Sequence, residues 1–492
     1  MQRKGIDFPL GNASHKSSRR QALRSIAAGI VAFPAIAAGP ALTDIQIVEV
    51  EPTYQDFQYR APMKFGGAVV TRVTVQNVRC RVRGRNGKVA DGFGSMPMGN
   101  VWSFPSKKLN YDQTLDAMRK VSARMAKITT GEREWGHPID LNRTLEPQYL
   151  AAAAEISATL AQPIPKLCTL VTGSPFDAAL HDAYGKLHGK SSYQTLGPDY
   201  LHHDLSHYLG SEFRGETLDR YILPHAKPEL PLYHLVSAVD PITAKDVQHR
   251  IEDGLPETLP EWIRYNGINH IKIKLDGNDH TWDLNRVISV NEATAQTESG
   301  LKVSRYVYSL DFNEKCPNVQ YLVDFLHELK ARSADAFQRI QYIEQPTARD
   351  LDANPQNDMH AASKLVPVVI DESLTGQDAF LKALEMGYSG AALKACKGQS
   401  QALLMAALGQ KKKVFLCVQD LTCPGESLLQ SVSLAAHVPT VQAIEANARQ
   451  YVPAANKGWS DRFPGVFQVR DGFVHTAGLD GPGLGAVPVK NV

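Results

Sequence analysis

The 492-residue sequence has almost no surplus of charge, few cysteines, no low-complexity tract and no repeat beyond a strand–helix rhythm. Fifty-three Lys and Arg against 51 Asp and Glu leave a formal net charge of +2, which offers no electrostatic footprint for nucleic acid or for an anionic membrane. Six cysteines are too few for a disulfide framework in a chain of this length, and no disulfide is expected. What is present is ordinary for a large globular core: 43% hydrophobic and 21% charged residues, which excludes a disordered, collagen-like or polytopic membrane chain. At about 150 residues per domain, the length suggests two or three domains, or one large barrel with an attachment.

The near-neutral total hides an asymmetry. Residues 1–41 hold six basic side chains (Arg3, Lys4, Lys16, Arg19, Arg20, Arg24) and one acid, Asp7, which leaves the rest with 47 basic against 50 acidic side chains. A polar stretch ends in Ser18-Arg19-Arg20-Gln21-Ala22-Leu23-Arg24, and an uncharged Ala- and Gly-rich run follows to Thr43. Small residues around Ala35-Ile36-Ala37 suit cleavage. The layout resembles a twin-arginine leader, which implies the twin-arginine export machinery as a partner and a periplasmic location. Pro34, Pro40 and the weak hydrophobicity of the run argue against a stable membrane span in the mature form.

From Ile45 to about Ser106 the sequence alternates with period two, as in Val69–Val75 and Val78–Val82, with turn signals at Gly66-Gly67 and Asn86-Gly87. From Tyr111 to Leu187 the period becomes helical. Residues 42–220 therefore read as an α+β capping domain. Between 221 and 450, eight short β-rich runs alternate with amphipathic stretches, the pattern of a (β/α)8 TIM-type barrel with its site at the carboxyl ends of the strands. Residues 451–492 contain a hairpin-like segment, 467–474, expected to pair back with the N-terminal sheet, followed by Gly481-Pro482-Gly483-Leu484-Gly485.

The chemistry sits at strand ends. In His270-Ile271-Lys272-Ile273-Lys274-Leu275, alternate side chains share a face, so Ile271, Ile273 and Leu275 pack on helices while Lys272 and Lys274 point into the barrel. Two inward lysines are costly to bury, which points to a function. The next three strands end in Asp311 (with Asn313 on the same face), Glu344 and Asp371. Three carboxylates brought to one point repel one another unless a hard divalent cation, Mg²⁺, neutralises them. Lys394 ends the sixth strand, across the barrel from Lys274. Two lysines on opposite sides of a metal-bound carboxylate suit proton transfer at carbon, provided that Lys272 and the cation lower their pKa.

These residues, in this order, resemble the enolase superfamily in its muconate-lactonizing subgroup. Lys272-Ile273-Lys274 looks like the family's Lys-x-Lys, with Lys274 the base and Lys272 its partner. Asp311, Glu344 (in Glu344-Gln345-Pro346) and Asp371 (in Asp371-Glu372-Ser373) look like its metal ligands, and Lys394 like the opposed base. Pro175–Lys186 is similar to the family's helical entry into the barrel, and Pro482-Gly483-Leu484-Gly485 to its return to the cap. The mandelate-racemase subgroup needs a strand-seven histidine, and Val414–Asp420 has none. The resemblance implies Mg²⁺ (Mn²⁺ as a substitute), a small carboxylate substrate and a homo-oligomer. The implied reaction is racemisation, epimerisation or cycloisomerisation, with a lyase acting on a hydroxy or sugar acid as the alternative.

Specificity is less determined. The stretch Ile444–Arg449 lacks the Asp-x-Asp with which dipeptide epimerases hold an ammonium group. Gln419 and Asp420 either face the substrate or form a structural turn, and Asn313 and Glu372 stand beside the ligands. The loop Tyr59–Gly66 resembles the family's specificity loop, so Arg60 or Lys64 either meets a second acidic group or is solvated. His234, on strand one, either reaches the pocket or is satisfied in the core.

Overall fold

The computed structural model describes residues 41–297 and 305–486. The leader-like segment lies outside them, apart from its last residue. Among the described residues, no helix is long and apolar enough to cross a membrane.

The period-two stretch forms an antiparallel meander of β1 (Ile45–Phe65), β2 (Ala68–Gly84) and β3 (Val89–Pro97). The β1–β2 register shifts between Gln58 and Met63, so Tyr59–Pro62 bulge from the hairpin near its Gly66-Gly67 tip. Three long helices follow, Tyr111–Gly131, Pro138–Ser157 and Lys166–His188. The first begins with a reciprocal Asn110–Gln113 capping box. The third is buried over most of its length and lies directly on β3. That approach requires glycine, since a Cβ at Gly94 would stand 2.0 Å from the Pro175 carbonyl oxygen and one at Gly92 2.2 Å from that of Ala179. The opposite side of the same helix grips the barrel, where Asp177 accepts hydrogen bonds from Ser400 N and Oγ, both at 2.7 Å.

Eight parallel strands close the barrel: β4 (Glu229–Val236), β5 (His270–Lys274), β6 (Val307–Asp311), β7 (Ile340–Glu344), β8 (Val368–Ile370), β9 (Gly390–Leu393), β10 (Phe415–Val418) and β11 (Ile444–Glu445), with β11 pairing back onto β4. The fold is thus a TIM-type α/β barrel with an N-terminal antiparallel cap.

The tail departs from expectation. A ninth strand of the barrel sheet, β12 (Phe473–His475), runs antiparallel to β4, not to the N-terminal sheet. The two-residue β11 covers only Leu232 and Tyr233 of β4, which leaves the backbone of Glu229–Pro231 unpaired, and β12 takes that edge. Further along, the tail does meet the cap, where Leu484 N donates to Asp182 Oδ1 at 2.9 Å and Ser192 N to Gly483 O at 2.7 Å. All six cysteines are buried free thiols.

Candidate active site

Strand alternation sorts the bore of the barrel into layers. Its lower part is an apolar plug of Tyr233, Tyr342, Val369, Ala392, Cys417 and Ala443. Two residues further along five of these strands, the same inward face carries Leu235, Glu344, Asp371, Lys394 and Gln419, and Glu445 follows Ala443 in the same way. Lys272, Lys274 and Asp311 join them from β5 and β6, and all of these polar side chains are buried. Sharp turns fix two of the carboxylates. Asn313 and Gln345, at φ 43° and 30°, occupy the left-handed region just beyond Asp311 and Glu344. Asn313 N donates to Asp311 Oδ1 at 2.8 Å, and Gln345 Oε1 accepts from Asp371 N and Ser373 N, so one turn holds the next.

Lys272 is the hub. Its ammonium lies 2.8 Å from Glu344, 3.0 Å from both Asp311 and Glu445, and donates to Gln419 Oε1 at 2.7 Å. Burial alone disfavours this charge, but Glu344, Glu445 and Asp311 hold its pKa well above the ordinary lysine value. Lys274 bonds to Asp311 Oδ2. On the opposite wall, Lys394 and Lys397 approach the two oxygens of Asp371 at 2.7 and 2.9 Å. Against the upward push of burial, these lysines hold Asp371 far below the usual carboxylate range, and Lys274 and Lys272 hold Asp311 at about 2. Glu344 is raised, by burial first and then by Asp311. Burial and Asp371 push Glu372 up to about 7, and burial and Glu445 push Asp420 up to about 6. Burial lowers the Lys394 pKa, but among the protein's own groups Asp371 and Glu344 outweigh both burial and the repulsion from Lys272 and raise it.

The donor set suits a hard divalent cation. Six buried carboxylates (Asp311, Glu344, Asp371, Glu372, Asp420, Glu445) face four buried lysines (Lys272, Lys274, Lys394, Lys397), an excess of two negative charges when all are ionised. The buried oxygens Asn313 Oδ1 and Glu372 Oε2 have no hydrogen-bond partner. Glu344 Oε2 and Asp371 Oδ2 meet lysine ammoniums at 2.8 and 2.7 Å but accept no well-angled hydrogen bond. An all-oxygen set with spare acceptors and surplus negative charge fits Mg²⁺ or Mn²⁺.

The cap closes the mouth. Met63 and Phe65 from the β1 tip and Trp102 from the short helix Asn100–Ser103 join Lys272, Lys274, Asn313, Lys394, Asp420 and Asn447 around a cavity of about 40 Å³. The Trp102 indole donates to Glu372 Oε1 at 2.8 Å, and its ring centre lies 4.5 Å from the Lys394 ammonium.

The secondary candidates fall in different places. His234 points away from the bore, because Tyr233 and Leu235 take the inward positions. Its ring contacts Arg449 at 2.7 Å, and burial keeps its pKa well below normal. Arg60 is neither in the carboxylate pocket nor solvated. Its side chain is 7% exposed and clasps Asp253, with Nη2 2.8 Å from Oδ1. Arg60 and His234 line a separate outer cavity of about 560 Å³. Gln419 lies beneath Lys272 and supports it. Asp420 reaches the pocket while also tying a turn, accepting from Cys423 N at 2.8 Å and Asn447 N at 3.0 Å. Asn313 and Glu372 join the central cluster and bond to each other at 3.3 Å.

Sequence reasoning missed Glu445, Lys397, Trp102 and Asn447. Glu445 obeys the strand-end rule that found the other acids. Lys397, in the turn Ala395–Lys397, and Trp102, on another domain, carry no periodic signal.

Residues 255–491 match the family described as Enolase C-terminal domain-like. No curated protein matches the chain. Among solved structures, the L-Ala-D/L-Glu epimerase of Bacillus subtilis superposes with a TM-score of 0.57 at 17% identity, covering 89% of this chain and 98% of that one. The N-succinyl Arg/Lys racemase of Bacillus cereus gives 0.59 at 15%, covering 89% and 95%. The muconate lactonizing enzyme of Pseudomonas fluorescens gives 0.56 at 18%, covering 89% and 96%. At these identities the structural likeness speaks for the fold, while the family match covers the strands that carry Lys272, Lys274, Asp311, Glu344, Asp371 and Lys394. The similarity to the enolase C-terminal domain-like family thus runs through residues 255–491, which hold β5 to β11 of the barrel.

Proposed function

We propose that the protein is a metal-dependent isomerase that removes and returns the proton α to a substrate carboxylate, as a racemase, epimerase or cycloisomerase. The observation that carries this reading is the pair Lys274 and Lys394, which project from opposite strands of the eight-stranded ring across three strand-end carboxylates. Asp311, Glu344 and Asp371 are the residues that would hold Mg²⁺ or Mn²⁺. When bound, the ion supplies positive charge that favours negative charge developing on the substrate carboxylate.

The remaining steps belong to the chain. One of the two lysines, in its neutral form, takes the α-proton from one face, and the other, as an ammonium, delivers a proton to the opposite face. Lys272, kept charged by Glu344, Glu445 and Asp311, serves as a fixed cation beside the developing enediolate and not as a base. Met63, Phe65, Leu235 and Trp102 exclude water above the reacting carbon. These apolar walls favour a small carboxylate whose remaining groups are mainly apolar. The same chemistry agrees with the epimerase, racemase and lactonizing activities named for the structural neighbours. The Ser18–Arg24 stretch and the run after it support export to the periplasm by the twin-arginine route.

The test is deuterium exchange. Metal-loaded protein incubated in D₂O with a panel of small carboxylic acids is expected to exchange the α-proton of at least one acid, read by NMR. Lys274→Ala and Lys394→Ala are each expected to abolish interconversion, and EDTA to stop exchange. Exchange that survives both substitutions refutes the mechanism. Loss of a β-substituent in place of exchange assigns the site to a lyase.

A further inference from the structure

Outside the residues that line the barrel mouth, three side chains with metal-binding chemistry converge, and the proposed reaction makes no use of them. Asp140 stands in the first turn of the cap helix Pro138–Ser157. His203 and His207 come from the linker that joins the cap to β4, His207 from the single helical turn Ser206–Leu209. Each offers a ligand atom, and these atoms lie within 4.8 Å of one another. We propose that Asp140, His203 and His207 form a second metal site, for a borderline divalent transition cation such as zinc, which ties the cap helix to the linker.

The geometry supports ligation in three ways. The two imidazoles are already parallel, with ring centres 4.0 Å apart and planes 16° from each other, so a small splay points both at one ion. Tyr208 donates its hydroxyl to Asp140 Oδ1 at 2.5 Å and leaves Oδ2 free, the arrangement in which an outer hydrogen bond orients a ligating carboxylate. The linker turn is itself braced, as Asp204 accepts from Ser206 N at 3.0 Å and Gly215 N at 2.7 Å. Tetrahedral ligation at about 2.0–2.1 Å places ligand atoms about 3.4 Å apart. Rotation of two exposed histidine side chains covers that closure. Arg143 stands beside the cluster and spends one guanidinium donor on the His207 carbonyl, at 2.7 Å. Imidazole nitrogens suit zinc, nickel, cobalt or copper and not magnesium, so this site and the all-oxygen barrel cluster select different ions.

The experiment titrates the full chain with Zn²⁺ by calorimetry in the presence of saturating Mg²⁺. One equivalent of zinc is expected to bind, and His203→Ala or His207→Ala to weaken that binding by about tenfold or more. Zinc is expected to raise the melting temperature of the wild type but not that of the double variant. Histidine ring ¹⁵N shifts require no variant: two rings should shift on adding zinc. Zinc binding that is unchanged in both single variants, or the absence of any histidine shift, overturns the proposal.

Discussion

On most of the barrel's strands the lower and upper layers of the bore lie only two residues apart, yet their chemistry is opposite. Below, Tyr233, Tyr342, Val369, Ala392, Cys417 and Ala443 fill the bore with apolar contact. Above, acids and lysines are buried at equal depth. The lower layer is stabilised by removing apolar surface from water, an energy that depends on volume and tolerates similar shapes. The upper layer holds only because each ammonium meets a carboxylate, so removing one member strands another. One layer is a scaffold and the other is poised for chemistry.

The largest difference should come from adjacent inward positions of one strand. Asp371→Asn leaves the buried ammoniums of Lys394 and Lys397 without their shared counter-charge. It is expected to cost about 3–5 kcal/mol of stability, and to abolish α-proton exchange and Mg²⁺ binding, checked by urea melts, NMR and calorimetry. Val369→Ala, two residues earlier, removes two carbons from the plug. It is expected to cost about 2 kcal/mol by the same melts while leaving the exchange rate per folded molecule unchanged. Equal catalytic losses in the two variants would erase the distinction between the layers.

Gln419 joins them. Its Oε1 accepts from Lys272, and its amide nitrogen donates to the hydroxyl of Tyr342 in the plug. Gln419→Ala should lower kcat about 10–100-fold with little change in KM, since Lys272 loses a support and not its charge. Gln419→Glu should restore part of the rate, because it can still accept from Lys272.

The upper layer was legible where period two reaches it. Lys272 and Lys274 flank Ile273 and therefore share the inward face, and Asp311, Glu344 and Asp371 end successive β-rich runs one strand–helix unit apart. Their mutual pairing was not legible. The raised pKa of Lys394 depends on which carboxylate turns toward it, and chain position carries no record of that. His234 shows the limit from the other side. Its parity on β4 excludes it from the bore, but the parity could be assigned only once the register of Tyr233 and Leu235 was known. The β12 pairing followed from the shortness of β11, a boundary of one or two residues that composition does not set.

A second comparison, between the bore and the seam that joins cap to barrel, sharpens the first, because Glu426 and Asp177 are buried there without a lysine at their oxygens. Burial, first among the causes, pushes Glu426 up to about 8 and Asp177 up to about 7. Acids whose folded pKa is raised contribute stability that is complete below their unfolded values, near 4, and is lost as pH rises through 7 and 8. The urea midpoint is therefore expected to fall between pH 5 and pH 9, and Glu426→Gln to flatten that decline. A wild-type midpoint that rises over this range would contradict the assignment.

The smallest effect concerns the outer cavity. Arg60, in its lining, pairs with Asp253, which is 34% exposed, so solvent screens their attraction and the pair contributes about 0–1 kcal/mol. Neither residue lines the carboxylate pocket. Arg60→Ala is therefore expected to move the melting temperature by a degree or two at most and to leave kcat and KM within about twofold. If instead KM for the exchanging acid rises tenfold or more with kcat preserved, the substrate extends past Met63 into the outer cavity, and the pocket described here holds only its reacting end. That outcome would leave the proposed roles of Lys274, Lys394, Asp311, Glu344 and Asp371 in place while enlarging the proposed substrate.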